Sequence, residues 1–274
     1  MIDEVLFMRH GRTTFNLARR MQGQIDVPLD IVGQWQADQS AYELAQRYYW
    51  AKVAAVARDE RLLAQPGPRA ARRSDIDEYR QAPAACRRLT VVASDLFRAV
   101  QTAHAFADLL GLEVATDERL RERSFGRWEG MTREEIREMD ARAFASWRAH
   151  TGGELAYGVE SRRALGERGA QAVRSLVAAH DGDGTTTLML VGHGSWIVAT
   201  IQTLLGMDVD DVSELGAMRN AFWSRMTPRR RADGSIGWLL EEYNQGPRIA
   251  DAADWENGPA ELRRPGMPLW RPIV

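Results

Sequence analysis

The segment Val5-Leu6-Phe7-Met8-Arg9-His10-Gly11 runs four apolar residues into an arginine, a histidine and a glycine. An apolar run with a polar break predicts a buried strand opening into a loop. Thr187-Leu188-Met189-Leu190-Val191-Gly192-His193-Gly194 repeats the pattern, and Leu89-Thr90-Val91-Val92-Ala93 ends in Ser94-Asp95. Helical patterns lie between these runs, and no fixed-period repeat is present. Strands alternating with helices predict an α/β fold, a three-layer sandwich with a mostly parallel central sheet. In such sheets ligands sit beyond the carboxyl ends of the strands. Polar groups far apart in the chain are therefore expected to meet at one edge.

The helices are read from periodicity and caps. Alanines, Leu44 and aromatics recur at helical spacing from Gln34 to about Tyr49. Ser94 and Asp95 are expected to cap a helix that begins near Leu96 or Phe97, runs to Leu110 and stops at Gly111. Residues 132–149 form one further helix, with Thr132 as its cap and Glu134 and Glu135 suiting the macrodipole. Ser161 to His180 is another, and Ser195 is expected to cap a helix through Leu205. Asn220 to Met226 and Ile236 to Tyr243 read as strands around the turn Asp233-Gly234.

Residues 1–250 form a single domain with an insertion at about 48–88. The insertion contains the breaker cluster Gln65-Pro66-Gly67-Pro68, and arginines outnumber acids in it. A solvated excursion and a basic lid over an anionic substrate both fit it. Its apolar residues are compatible with a homodimer. A tail from 251 to 274, holding Trp255, Trp270 and four prolines, is expected to wrap the surface or stay loose.

Across 274 residues, 45% are hydrophobic and 27% charged, enough apolar material to bury a core. The net charge of -2 gives no reason to expect non-specific nucleic-acid binding, so any anion must be attracted by local charge. A single cysteine, Cys86, cannot form an internal disulfide or a cysteine-based metal centre. It points to the cytoplasm and is otherwise incidental. The first residues lack the basic region of a signal peptide. No apolar run approaches the ~20 residues of a membrane span.

Two of the five histidines, His10 and His193, follow predicted strands and precede glycine, which lets the backbone turn and a ligand approach. Around them the chain resembles the histidine phosphatase superfamily, which includes the phosphoglycerate mutases. Arg9-His10-Gly11 with Arg12-Thr13-Thr14-Phe15-Asn16 is similar to its signature. Arg20 to Leu29, Ser94-Asp95-Leu96-Phe97-Arg98-Ala99, Leu120 to Gly130, Gly158-Val159-Glu160-Ser161 and Gly192-His193-Gly194 follow in the family's order. The resemblance covers residues 5 to about 205 apart from the insertion, and it implies a phosphoglycerate mutase-like fold.

It also implies the chemistry. His10 is the nucleophile that forms a phosphohistidine. Glu122 is the general acid for the leaving oxygen, then the base for water; a carboxyl beside a dianion retains its proton more readily. Arg9 and Arg98 supply planar forks for the phosphoryl oxygens. His193 adds a donor, charged when bound phosphate favours the imidazolium. Asn16, Gln22 and Gly23 belong to the phosphate loop, and the Gly194 and Ser195 amides at a helix start suit an anion. The substrate partner implied is a small phosphate ester, with no nucleic acid, membrane, cofactor or metal. A metal held by His10, His193 and one carboxylate is the competing arrangement, and adjacent Arg9 opposes a cation there.

Two alternatives stand beside the phosphatase reading. One is a cofactor-dependent phosphoglycerate mutase; Met21 to Asp26 and Phe125 to Gly130 look more like the phosphatase branch. The other is a non-catalytic phosphate-binding regulatory module, against which the complete His10, Arg9, Arg98, Glu122 and His193 set speaks. Arg20 to Asp26, Ser146-Trp147-Arg148, Glu160-Ser161-Arg162 and Leu215 to Trp223 are similar to mycobacterial-type glucosyl-3-phosphoglycerate phosphatases, from which the insertion and tail depart. Sugar-phosphate or phosphoglycerate-like monoesters are the broader expectation. Trp35, Trp128, Trp147, Trp196 and Trp223 are assigned mainly to packing.

Overall fold

Strand β1 (Glu4–Arg9) lies between a parallel neighbour, β4 (Thr187–Gly192), and an antiparallel one, β5 (Trp223–Arg230). The computed structural model of the chain describes residues 2–56, 89–211 and 215–263. With β2 (Leu89–Ala93), β3 (Val114–Thr116) and β6 (Ile236–Gln245), the sheet order is β3-β2-β4-β1-β5-β6. The first four strands are parallel, and β5 and β6 form an antiparallel hairpin at one edge. Every residue of β4 is buried, which is why its sequence is a continuous apolar run: both faces of the sheet are covered.

The helices are α1 (Thr14–Leu17), α2 (Ile31–Val56), α3 (Phe97–Leu110), α4 (Arg133–Met139), α5 (Ala141–Arg148), α6 (Arg162–Ala179) and α7 (Gly194–Leu205). Helix α2 packs on α3, and α6 packs on α7. The crossovers β1-α2-β2 and β2-α3-β3 move one way along the sheet, and β3-α6-β4 moves back. Right-handed crossovers place the first pair of helices on one face and the second on the other. The chain therefore leaves β1 toward one face and β4 toward the opposite face. The crevice between these two strand ends is the topological switch point, where such sheets bind ligands.

Several sequence expectations are corrected. Helix α2 starts at Ile31 and continues to Val56, into the segment assigned to the insertion; residues 57–88 lie outside the described residues. Ser94 and Asp95 do not cap α3 through its first turn. The cap position is Leu96 with no side-chain bond; Asp26 Oδ1 takes the Phe97 amide at 2.7 Å, and Asp95 pairs with Arg121. The single helix over 132–149 is two. Asp140 leaves helical geometry (φ -155°) and caps α5 through the Arg142 and Ala143 amides. Thr132 does cap α4, in a reciprocal box with Glu135. Strand β5 begins at Trp223 rather than Asn220, because Ala221 sits at φ +59° in a turn. Strand β3 was not anticipated. His193, not Ser195, occupies the cap position of α7.

A small second core of Phe125, Trp128, Ile136, Ala143 and Val159 lies within the excursion between β3 and α6. In the tail, Trp255 is buried against Phe222 and Trp35, and its Nε1 donates to the Asn220 carbonyl. Trp270 lies outside the described residues. No helix among the described residues is long and apolar enough to cross a membrane.

Candidate active site

The parallel register sets Arg9 opposite Gly192, so His10 and His193 leave the sheet side by side. Their ring centroids are 5.1 Å apart. His10 Nδ1 lies 2.7 Å from the Gly11 carbonyl oxygen. A carbonyl only accepts, so the proton sits on Nδ1 and Nε2 keeps its lone pair. Burial, then the charges of Arg98 and Arg9, hold His10 well below the usual imidazole range. Burial, Arg98, His10 and Arg9 do the same to His193. Both rings are neutral near pH 7 in the free protein.

Arg98 is wholly buried on α3, with Nη1 donating to the Ile25 carbonyl and Nη2 to the Gly23 carbonyl, each at 2.8 Å. Arg9 Nη1 donates to the Met218 carbonyl at 2.5 Å. Burial lowers both guanidinium values, that of Arg98 to about 10, so both remain charged at neutral pH. Arg9 Nε, Arg98 Nε and both ring nitrogens of His193 are buried and have no hydrogen-bond partner among the described residues. Buried donors rarely stay unsatisfied. An anion with several lone pairs would satisfy the two Nε donors and the N–H of the His193 ring together.

Two amides are oriented by their neighbours. The Asn16 side-chain oxygen accepts from the Thr13 amide and from Asn220 Nδ2, and the Gln22 side-chain oxygen accepts from the Thr13 hydroxyl. This leaves their NH2 groups as the donor ends. Gly23, at φ +51°, accommodates no side chain: a Cβ would come within 2.1 Å of Glu129 Oε1, which itself accepts from the Gln24 and Phe125 amides. Gly11 is not in the left-handed region. A side chain is excluded there by the Gly33 carbonyl oxygen, 2.2 Å from where its Cβ would lie.

Glu122 stands at the first turn of α7. Its carboxylate accepts from the Arg123, Ser195 and Trp196 amides at 2.8, 3.2 and 3.1 Å. All three are backbone donors, so the carboxylate is held in one orientation between residue 123 and the start of α7. This corrects the expected use of the Ser195 amide: Glu122 already occupies it. Gly194 lies against Arg9, where a Cβ would come within 3.3 Å of Nε.

Arg9, His10, Asn16, Gln22, Gly23, Arg98, Glu122, Gly194 and Ser195 all line one cleft of about 580 Å³, with His193 beneath it against His10. Four arginines that the sequence reading gave no role, Arg19, Arg20, Arg133 and Arg162, line the same cleft. Asn220 was also missed; its Nδ2 donates to the His10 carbonyl at 3.0 Å. Its only sequence signal was a place in the segment before β5. Among the described residues no group of three His, Cys, Asp or Glu is placed to hold a metal ion.

The switch point of a phosphoglycerate mutase-like sheet thus holds a neutral imidazole flanked by buried guanidinium groups, positive charge gathered where such sheets bind their ligands. The chain belongs to the histidine phosphatase superfamily (branch 1), whose sequence profile matches residues 5–56 and 76–239. It is similar to a glucosyl-3-phosphoglycerate phosphatase of Mycolicibacterium vanbaalenii, with 32% identity over 91% of this chain and 98% of the relative. A probable phosphoglycerate mutase of Yersinia enterocolitica is 30% identical over 87% of this chain and 91% of its own. The solved mycobacterial glucosyl-3-phosphoglycerate phosphatase in complex with VO3 superposes with a TM-score of 0.64 at 29% identity, covering 89% of this chain and 100% of that one. Family and relatives together make this chain a phosphatase, with the mutase assignment less favoured.

Proposed function

We propose that the protein hydrolyses a small acidic phosphomonoester, of the phosphoglycerate or glycosyl-phosphoglycerate kind, through a phosphohistidine on His10. The observation that carries this reading is the His10 Nδ1 bond to the Gly11 carbonyl, which leaves Nε2 as a lone-pair nucleophile in the cleft. Nε2 attacks phosphorus in line; the P–N bond forms as the ester P–O bond breaks. The Nε of Arg9 and of Arg98, and His193, take the equatorial oxygens, whose charge is what this chemistry must hold.

Glu122 gives its proton to the departing oxygen. The ionised carboxylate then removes a proton from water, whose oxygen attacks phosphorus. The P–N bond breaks and inorganic phosphate leaves. The acidic character of the substrate is supported by Arg19, Arg20, Arg133 and Arg162 in the same cleft and by the similarity to mycobacterial glucosyl-3-phosphoglycerate phosphatases. The single cysteine supports a cytoplasmic setting. The apolar residues cited for a homodimer lie in the insertion, of which residues 57–88 are outside the described residues.

The test is phosphate release from a panel of phosphorylated metabolites that includes glucosyl-3-phosphoglycerate and 3-phosphoglycerate, with EDTA present and His10→Ala as control. Turnover in EDTA that disappears with His10→Ala is the expected result. Interconversion of 2- and 3-phosphoglycerate without phosphate release would replace this reading with the mutase. Full activity in the alanine variant would end the phosphohistidine scheme.

A further inference from the structure

Arg168, on α6, does not line the cleft, and its hydrogen bonds are divided between the segment that carries Glu122 and the carboxylate of Glu160. Nη1 donates to the Arg119 and Arg121 carbonyls at 2.7 and 3.0 Å. Nη2 donates to the Glu122 carbonyl at 3.4 Å and to Glu160 Oε2 at 3.0 Å, and Nε donates to Glu160 Oε1 at 3.1 Å. A guanidinium has five N–H donors, and this one has five acceptors. Glu160 closes the bracket from the other side. Its carboxylate accepts the Ser124 amide, its own amide donates to the Ser124 carbonyl, and its carbonyl accepts Arg123 Nε at 2.6 Å.

Residues 119–124 have no regular secondary structure beyond the single turn Glu118–Leu120. A bare loop of this kind would not hold a carboxylate to the few tenths of an ångström that proton transfer requires. The clamp supplies that precision. One side of residue 122, its carbonyl, is tied to α6 through Arg168; the other, its carboxylate, is tied to the first turn of α7. Since α6 packs on α7, both anchors belong to one rigid unit.

We infer that Arg168, paired with Glu160, is the positioning residue that aims Glu122 at the leaving-group oxygen. The inference rests on the proposed role of Glu122 as the acid. A side chain that aims an acid matters when the leaving group needs a proton and little when it does not. A merely structural role would lower all substrates in parallel.

The experiment compares the rate of phosphoenzyme formation, in single turnover, for p-nitrophenyl phosphate and for 3-phosphoglycerate, whose leaving oxygen is an alkoxide. It uses Arg168→Gln, Arg168→Lys, Glu160→Gln and Glu122→Gln, with vanadate affinity reporting the integrity of the phosphate site. Arg168→Gln is expected to slow the alkyl ester about tenfold or more while changing p-nitrophenyl phosphate and vanadate by about threefold or less. Arg168→Lys, with three donors for five acceptors, falls between. Glu160→Gln provides the same comparison if Arg168→Gln fails to fold. Equal losses on both esters, or none, in variants that bind vanadate normally would overturn the clamp, provided that Glu122→Gln shows the leaving-group dependence. If Glu122→Gln also lacks that dependence, it is the acid role itself that fails.

Discussion

His10 and His193 stand 5.1 Å apart, neither able to charge without repelling the other and two buried guanidinium groups. The arrangement suits an uncharged nucleophile, and it sets a stability cost on the acid side. Unfolded histidines titrate near 6.5. Both native values are lowered, so below that pH the unfolded chain binds protons that the native protein refuses. Stability is full above about pH 6.5 and falls as the pH drops toward the native values, at up to about 1.4 kcal/mol per pH unit for each histidine. Chemical denaturation at pH 7.5 and 5.5 measures this. His193→Asn should flatten the slope; an unchanged slope in that variant would contradict the neutral-ring assignment. Added inorganic phosphate should also reduce the loss, because a bound anion favours the imidazolium.

Replacing Gly23 by alanine is expected to damage the site more than its size suggests. The new Cβ would overlap Glu129 Oε1, and the backbone would keep a left-handed φ that alanine disfavours. The cost in stability is about 1–3 kcal/mol. Because the Gly23 carbonyl holds Arg98 Nη2, phosphate affinity should fall as well. Thermal unfolding with and without phosphate separates the two effects; a variant that unfolds and binds like the parent would remove this account.

The sequence carried the parallel part of the sheet because apolar runs ending in histidine-glycine or serine-aspartate are what a doubly covered strand leaves behind. It did not carry β3, three residues of which two are exposed and which has no apolar run. It misplaced caps where the capping group came from afar: Asp26, which takes the first amide of α3, is 71 positions from it. The chemical groups were legible because His10, Arg9 and His193 adjoin strand ends. Asn220, the rim arginines and the Arg168 clamp were not, since each acts through a tertiary contact that no local pattern encodes.

The tail contributes to the core despite its loop-like composition. Trp255 is 2% exposed, packs edge-on to Phe222 and donates to the Asn220 carbonyl, while Asn220 holds the His10 carbonyl. Trp255→Ala should cost about 3–5 kcal/mol by cavity formation and the lost bond. Trp255→Phe should cost less and keep most of the activity. Urea midpoints of the two variants test the order, and a surface-like loss in Trp255→Ala would return the tail to the exterior.

The rim arginines predict how the enzyme tells its substrates apart. Arg19 and Arg133 are exposed, line the cleft and have no side-chain partner among the described residues; Arg20 is shared with Glu135 and the Gly130 carbonyl. Arg162 donates to the Val209 carbonyl and is lowered by burial and by Arg123 nearby. Such charges act on the part of the substrate beyond the phosphoryl group. Arg19→Ala and Arg133→Ala should therefore raise KM for a carboxylate-bearing ester several-fold, roughly the 0.2–1 kcal/mol of an exposed ion pair for each, with kcat little changed. For p-nitrophenyl phosphate, which has no second anion, KM should hardly move. Raising the salt concentration should erase the difference between parent and variants, because exposed pairs are screened. A parallel KM increase for both esters would assign these arginines to the phosphoryl group instead and would withdraw the preference for acidic substrates.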